Sequence, residues 1–133
     1  MLNGNLIYKR GEIWWVELDP ATGFEAKKTR ASLGARSLGD ETSPGSHRCL
    51  ILQNDLGNKQ SSLTTVAPFL APKNYPFVVN VQPTNINNLD RERGIHFSQI
   101  RAVDCSRVKS KIGKIEDFYW NDIKKAISVQ LHL

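Results

Sequence analysis

The chain has 133 residues with a hydrophobic fraction of 40%, enough for one domain around one core and too short for two. Three Trp, five Phe and three Tyr exclude a disordered composition, and no run reaches the roughly 18–20 apolar residues that span a bilayer. The formal charge of +5 favours an anionic partner, either nucleic acid or an acidic protein.

Met1 to Arg10 carries only the apolar pair Leu6-Ile7 and no signal-peptide core, so a cytoplasmic protein with no membrane partner is expected. Glu12 to Leu18 is aromatic and β-branched and closes on Asp19-Pro20, which predicts a strand and a turn. Ala21 to Thr29 is a polar connection around Gly23. From residue 31 to 47 Ser, Gly, Ala and Thr dominate and no aromatic appears. This stretch reads as a long flexible loop inserted into a single domain spanning 1–133.

Leu50 to Leu52 opens a second strand ending at Asn54-Asp55, with Gly57-Asn58 as a turn. Leu63 to Phe69 and Phe77 to Val81 predict a third and fourth strand, the latter after the Tyr75-Pro76 break. Asn85 to Gly94 is polar, with a single helical turn expected near Leu89, and Ile95 to Val103 reads as one or two short strands. One helix is predicted from about Glu116 to Leu131, where Tyr119, Ile123, Ala126, Ile127 and Leu131 recur at three- and four-residue steps. These elements predict a mainly β fold with a C-terminal α-helix, a curled antiparallel sheet or small barrel.

Basic residues gather in three places: Lys27, Lys28 and Arg30; Arg91, Arg93 and Arg101; and Arg107, Lys109, Lys111 and Lys114. Cys49 and Cys105 read as small buried thiols. His47, His96 and His132 show no ligand spacing, so no metal and no cofactor is expected.

Several strings go further. Arg10-Gly11-Glu12-Ile13-Trp14-Trp15-Val16-Glu17-Leu18-Asp19-Pro20 resembles the opening strand of the MazF/PemK/Kid toxins. Gly23-Phe24-Glu25 with Lys27-Lys28-Thr29-Arg30, Gln53-Asn54-Asp55, Lys73-Asn74-Tyr75-Pro76-Phe77, Gln99-Ile100-Arg101-Ala102-Val103-Asp104 and Ile112-Gly113-Lys114-Ile115 are similar to later segments of that family, in the same order. The resemblance implies an SH3-like small β-barrel of the MazF/CcdB type. It also implies a homodimer that cuts single-stranded RNA at short sequences without a metal, and a cognate antitoxin whose acidic flexible tail occupies the same groove. RNA carries its own nucleophile, the 2′-hydroxyl, so the protein need supply only proton transfer and charge stabilisation.

The resemblance also nominates site residues. Arg30 and Arg48 are both candidates for the phosphate-binding arginine: Lys27-Lys28-Thr29-Arg30 keeps the family context, although Ala31 follows where Pro is expected. Counting back from Gln53 instead puts Arg48 on the proline position and His47 on the arginine position. His96 and Ser98 match an acid–base pair of some relatives and are the candidates for proton transfer and positioning. Glu25, Lys27, Lys28, Lys73 and Gln99 are the candidates for holding substrate. Leu70 stands where relatives place a hydroxyl residue, and leucine can neither donate to phosphate nor shuttle a proton. The competing readings are a catalytically weakened RNA- or antitoxin-binding module, favoured by Leu70 and the inserted loop, and a gyrase-targeting toxin like CcdB.

Overall fold

The computed structural model describes residues 7–18 and 45–133. Among them a seven-stranded antiparallel sheet carries β1 (Glu12–Glu17), β2 (Ser46–Ile51), β3 (Leu63–Leu70), β4 (Val78–Val81), β5 (Arg93–His96), β6 (Arg101–Asp104) and β7 (Val108–Lys114). Helix α1 (Asp55–Gln60) links β2 to β3, and α2 (Trp120–Leu131) ends the chain. The strand order is β4-β5-β3-β2-β1-β7. The first half of β3 (Leu63 to Val66) pairs with β6, and its last two residues pair with β5. That division bends the sheet along β3 and lets it curl.

Period-two alternation puts successive side chains on opposite faces, and each face packs a core of its own. On the inner face Ile13, Leu50, Ala67, Phe69, Ile95 and Phe97 pack with Ile115, Ile123 and Ala126, so α2 lies over this face. On the outer face Trp14, Val16, Cys49, Ile51 and Val66 pack with Tyr8, Val103 and Val108. A fully buried side chain such as Phe97 contributes about 1.5–3 kcal/mol by leaving water. The thiol of Cys49, wholly enclosed in the outer cluster, is pushed well above its ordinary pKa by burial.

Strand β2 begins at Ser46, so the last two residues of the loop expected over 31–47 belong to a strand. The rest of that stretch, apart from Gly45, lies outside the described residues. Two elements were not expected. The turn read at Gly57-Asn58 is a short helix, because the Asn54 side chain accepts from the Gly57 N–H as an N-cap. Strand β7 was read only as a basic cluster. It is the sheet's edge, pairing with β1 across two register shifts, and its lysines are the charges that keep a bare edge from pairing with another chain. Lys111 Nζ lies 3.1 Å from Glu12 Oε2, and Lys109 Nζ 3.9 Å from Glu17 Oε1.

The Gln53-Asn54-Asp55 string is a structural knot. Gln53 Nε2 donates to Asn58 Oδ1 and to the Leu63 carbonyl, and Asp55 accepts from the Arg10 N–H at 2.8 Å. The chain entering β1 is thereby tied to α1 and β3.

Candidate active site

Among the described residues, the outer face is closed by apolar packing at one end and only partly covered at the other, its open end, where Ser98, Gln99 and Arg101 are exposed. Cys49 pairs with Pro68, Phe69 with Ile95 and Val78 with His96. Continuing those registers places Pro68 beside His96 and brings His47 alongside Leu70, with Gly94 and Asn80 further along the same row. Arg101 stands opposite Val66 on the neighbouring β6. The short 3-10 turn Phe97–Gln99, where the chain passes from β5 to β6, leaves Ser98 and Gln99 exposed. His47, Leu70, His96, Ser98, Gln99 and Arg101 therefore belong to one region.

His96 is buried, with 8% of its surface exposed. Its Nε2 is 2.7 Å from the Ala71 carbonyl oxygen. A carbonyl only accepts, so this nitrogen carries the proton and donates. The same connection from β3 to β4 is stapled by Asn80, whose Oδ1 accepts from the Lys73 N–H while its Nδ2 donates to the Lys73 carbonyl. Gly94 lets this connection lie close: a Cβ there would come within 2.8 Å of Val78 Cγ1 and 3.0 Å of the Ala71 oxygen. The held segment carries exposed Lys73 and, further along the chain, the stacked rings of Tyr75 and Phe77, whose centroids are 5.2 Å apart.

Arg48 is not brought together with His96. It alternates with His47 and Cys49 and faces the other way, opposite Trp15 on β1. Its guanidinium sits 4.6 Å from the centroid of the Trp15 ring, and its Nη2 lies 3.6 Å from Asp90 Oδ1. Asp90 also takes a two-pronged bond from Arg93, at 2.7 and 2.8 Å. The Arg93 hydrogen bonds, helped by the Arg48 charge, hold the Asp90 carboxyl down at about 2. Arg30, Glu25, Lys27 and Lys28 lie outside the described residues.

His47, half-buried, is the residue that the nomination of site residues passed over. Burial pushes its imidazole pKa below the ordinary histidine range, and the nearby charges of Arg93 and Arg101 push it the same way. The available signal was the count back from Gln53, which puts His47 on the arginine position; in the strand it shares its face with Cys49, two residues on. Among the described residues, no three His, Cys, Asp or Glu side chains converge as ligands of a metal ion.

A profile described as a PemK-like, MazF-like toxin of type II toxin-antitoxin systems matches residues 9–131. The chain is 27% identical over 131 residues to endoribonuclease EndoA of Bacillus subtilis, covering 96% of this chain and 97% of that protein. It is 28% identical over 128 residues to endoribonuclease MazF of Staphylococcus saprophyticus, covering 94% and 92% of the two chains. Among solved structures, MazF of Deinococcus radiodurans superposes with a TM-score of 0.69 at 18% identity, covering 97% of this chain and all of that one. A mycobacterial endoribonuclease solved with its cognate antitoxin gives 0.66 at 15% identity, covering 95% and 96%. These structures share the fold of this chain, and the match over residues 9–131 shows that the chain belongs to the PemK-like, MazF-like toxin family of type II toxin-antitoxin systems.

Proposed function

We propose that this chain is a metal-independent, sequence-specific endoribonuclease toxin that cleaves single-stranded RNA, mRNA in the cell, and is neutralised by a cognate antitoxin. The observation that carries the reading is the open end of the outer face. There a family member presents Arg101, Gln99 and Ser98 beside His96, with Lys73 and the Tyr75–Phe77 stack on a held connection. Cations that meet phosphate, and aromatic rings on which unpaired bases stack, are what single-stranded RNA recognition uses. The relatives named as endoribonucleases support the same reading.

Lys73, Gln99 and Arg101 hold the RNA backbone and Ser98 positions it, and Glu25, Lys27 and Lys28 are kept as further substrate-holding residues. Of the two candidate arginines, Arg30 is kept for the phosphate. Arg48 supports the sheet from the inner side through Trp15 and Asp90. Two copies of the chain form the working unit, and an acidic antitoxin tail competes for the cationic surface. The place of action is the cytoplasm, where mRNA is met; none of the described helices is long and apolar enough to cross a membrane.

The test is incubation of a long single-stranded RNA with the protein in excess EDTA. Discrete fragments ending in 2′,3′-cyclic phosphate are expected. Intact RNA that is nonetheless bound in a salt-sensitive manner would move the assignment to a binding module without catalysis.

A further inference from the structure

Metal-free RNA cleavage requires a group that removes the 2′-hydroxyl proton as the 2′-oxygen attacks phosphorus. Among the described residues, few side chains on the open face can do this. The guanidinium of Arg101 stays protonated throughout the accessible pH range, Leu70 has no exchangeable proton, and Ser98 is an ordinary hydroxyl. His96 has its Nε2 committed to the Ala71 carbonyl and is nearly enclosed, which suits it to holding the Ala71–Phe77 connection. His47 stands in the Leu70 row, half-buried, and feels the charge of Arg101 on its own face and of Arg93 across the sheet.

We infer that His47 is the general base of this chain's RNA-cleaving site, removing the 2′-hydroxyl proton of a phosphodiester held beside Arg101 and Leu70. The inference rests on the endoribonuclease reading above and adds a residue to it. In the step, the 2′-oxygen–phosphorus bond forms and the bond from phosphorus to the 5′-oxygen breaks. The 2′-hydroxyl proton passes to the imidazole, the 5′-oxygen takes a proton from solvent water, and the product is a 2′,3′-cyclic phosphate.

The surroundings fit the role. Charged groups act on His47 from two elements, Arg93 on β5 and Arg101 on β6. β1 offers the apolar Val16 opposite it, β3 offers Leu70, and along β2 itself the next same-side group is the buried Cys49 thiol. This cationic, partly desolvated setting keeps the free imidazole unprotonated at neutral pH, as a base must be. A bound phosphate brings negative charge into the same setting and offsets Arg101, whereas Arg93 is already paired with Asp90. The imidazole then holds the proton better at the moment it arrives. Histidine in place of a fixed cation thus supplies proton transfer beside Leu70, which cannot.

The experiment compares wild type, His47→Gln and His96→Gln in single-turnover cleavage of a long RNA in EDTA from about pH 5 to pH 8, near the histidine range. Binding to an all-2′-deoxy version of the same strand is measured alongside. Wild type should show a rate that falls on the acid side with a midpoint below the ordinary histidine value. His47→Gln should lose about 100-fold in rate, the usual scale for removing a general base, keep its binding, and lose the acid limb. His96→Gln should retain that limb. If the glutamine variant does not fold, His47→Asn is the replacement with the same expected result. An active wild type with His47→Gln within about threefold of it and an unchanged acid limb, well short of a general base's share, overturns the inference alone. A wild type that cleaves nothing overturns the endoribonuclease reading and the assignment with it.

Discussion

Arg101→Ala is expected to lower the RNA cleavage rate by about 100-fold, the scale of losing one preorganised charge-stabilising donor, with little change in thermal stability. Arg101 is exposed on β6 opposite Val66, and among the described residues no carboxylate forms an ion pair with it. Its removal therefore leaves no buried charge behind, and it contributes little to the core. A phosphate arriving at the open face would find an arginine whose planar fork matches two oxygens. Cleavage of a fluorescent single-stranded RNA, paired with a thermal melt of the same preparation, checks both halves. Arg101→Lys should recover part of the rate, because it restores charge without the fork.

Gly113→Ala is expected to cost about 3 kcal/mol, the upper range for overpacking a site that cannot yield. For a domain of this size that is roughly 10 °C in the melting midpoint. A Cβ at position 113 would lie 2.5 Å from the Asn87 carbonyl oxygen and 2.6 Å from that of Ile86. Those are backbone atoms, and they are pinned. Asn87 is buried, its Oδ1 accepts from the Thr84 and Leu89 N–H groups, and its Nδ2 donates to the Gln82 carbonyl and to Glu116. The Ile86 carbonyl accepts from the Lys114 N–H. The turn cannot retreat without breaking this set, so the strand must move instead. A thermal melt in which Gly113→Ala matches wild type would show that the turn gives way.

What could be read in the sequence was what apolar periodicity carries. The β1 pattern and the apolar run of β3 appear where expected, and the stripe of α2 holds at Ile123 and Ala126 but not at Leu131, which is exposed, because burial on a recognisable period fades at a chain end. The sequence does not mark β7 as a strand because its seven residues hold three lysines and only Val108 and Ile112 as apolar side chains, and an edge strand needs little apolar content. Helix α1 was missed because it buries nothing and depends on one Asn54 cap. For the site, family motifs nominated Arg48 and His96, whereas the fold separates them. Which parity of β2 faces the open end depends on how β2, β3 and β5 are paired, and pairing between strands distant in sequence is not written in either strand alone. Once the pairing is known, His47 falls beside Leu70 and Arg48 beside Trp15.

The surface proposed to meet RNA is the outer side of the sheet at its open end. The most direct measurement is a hydrogen-exchange and chemical footprint of the intact protein with and without a saturating 2′-deoxy strand that it cannot cleave. Protection is predicted at residues 47, 70–77 and 98–101, with Trp15, Arg48 and Asp90 unchanged. Protection centred on Trp15, Arg48 and Asp90, with the 98–101 turn unaffected, would place the nucleic acid on the opposite face and contradict the account.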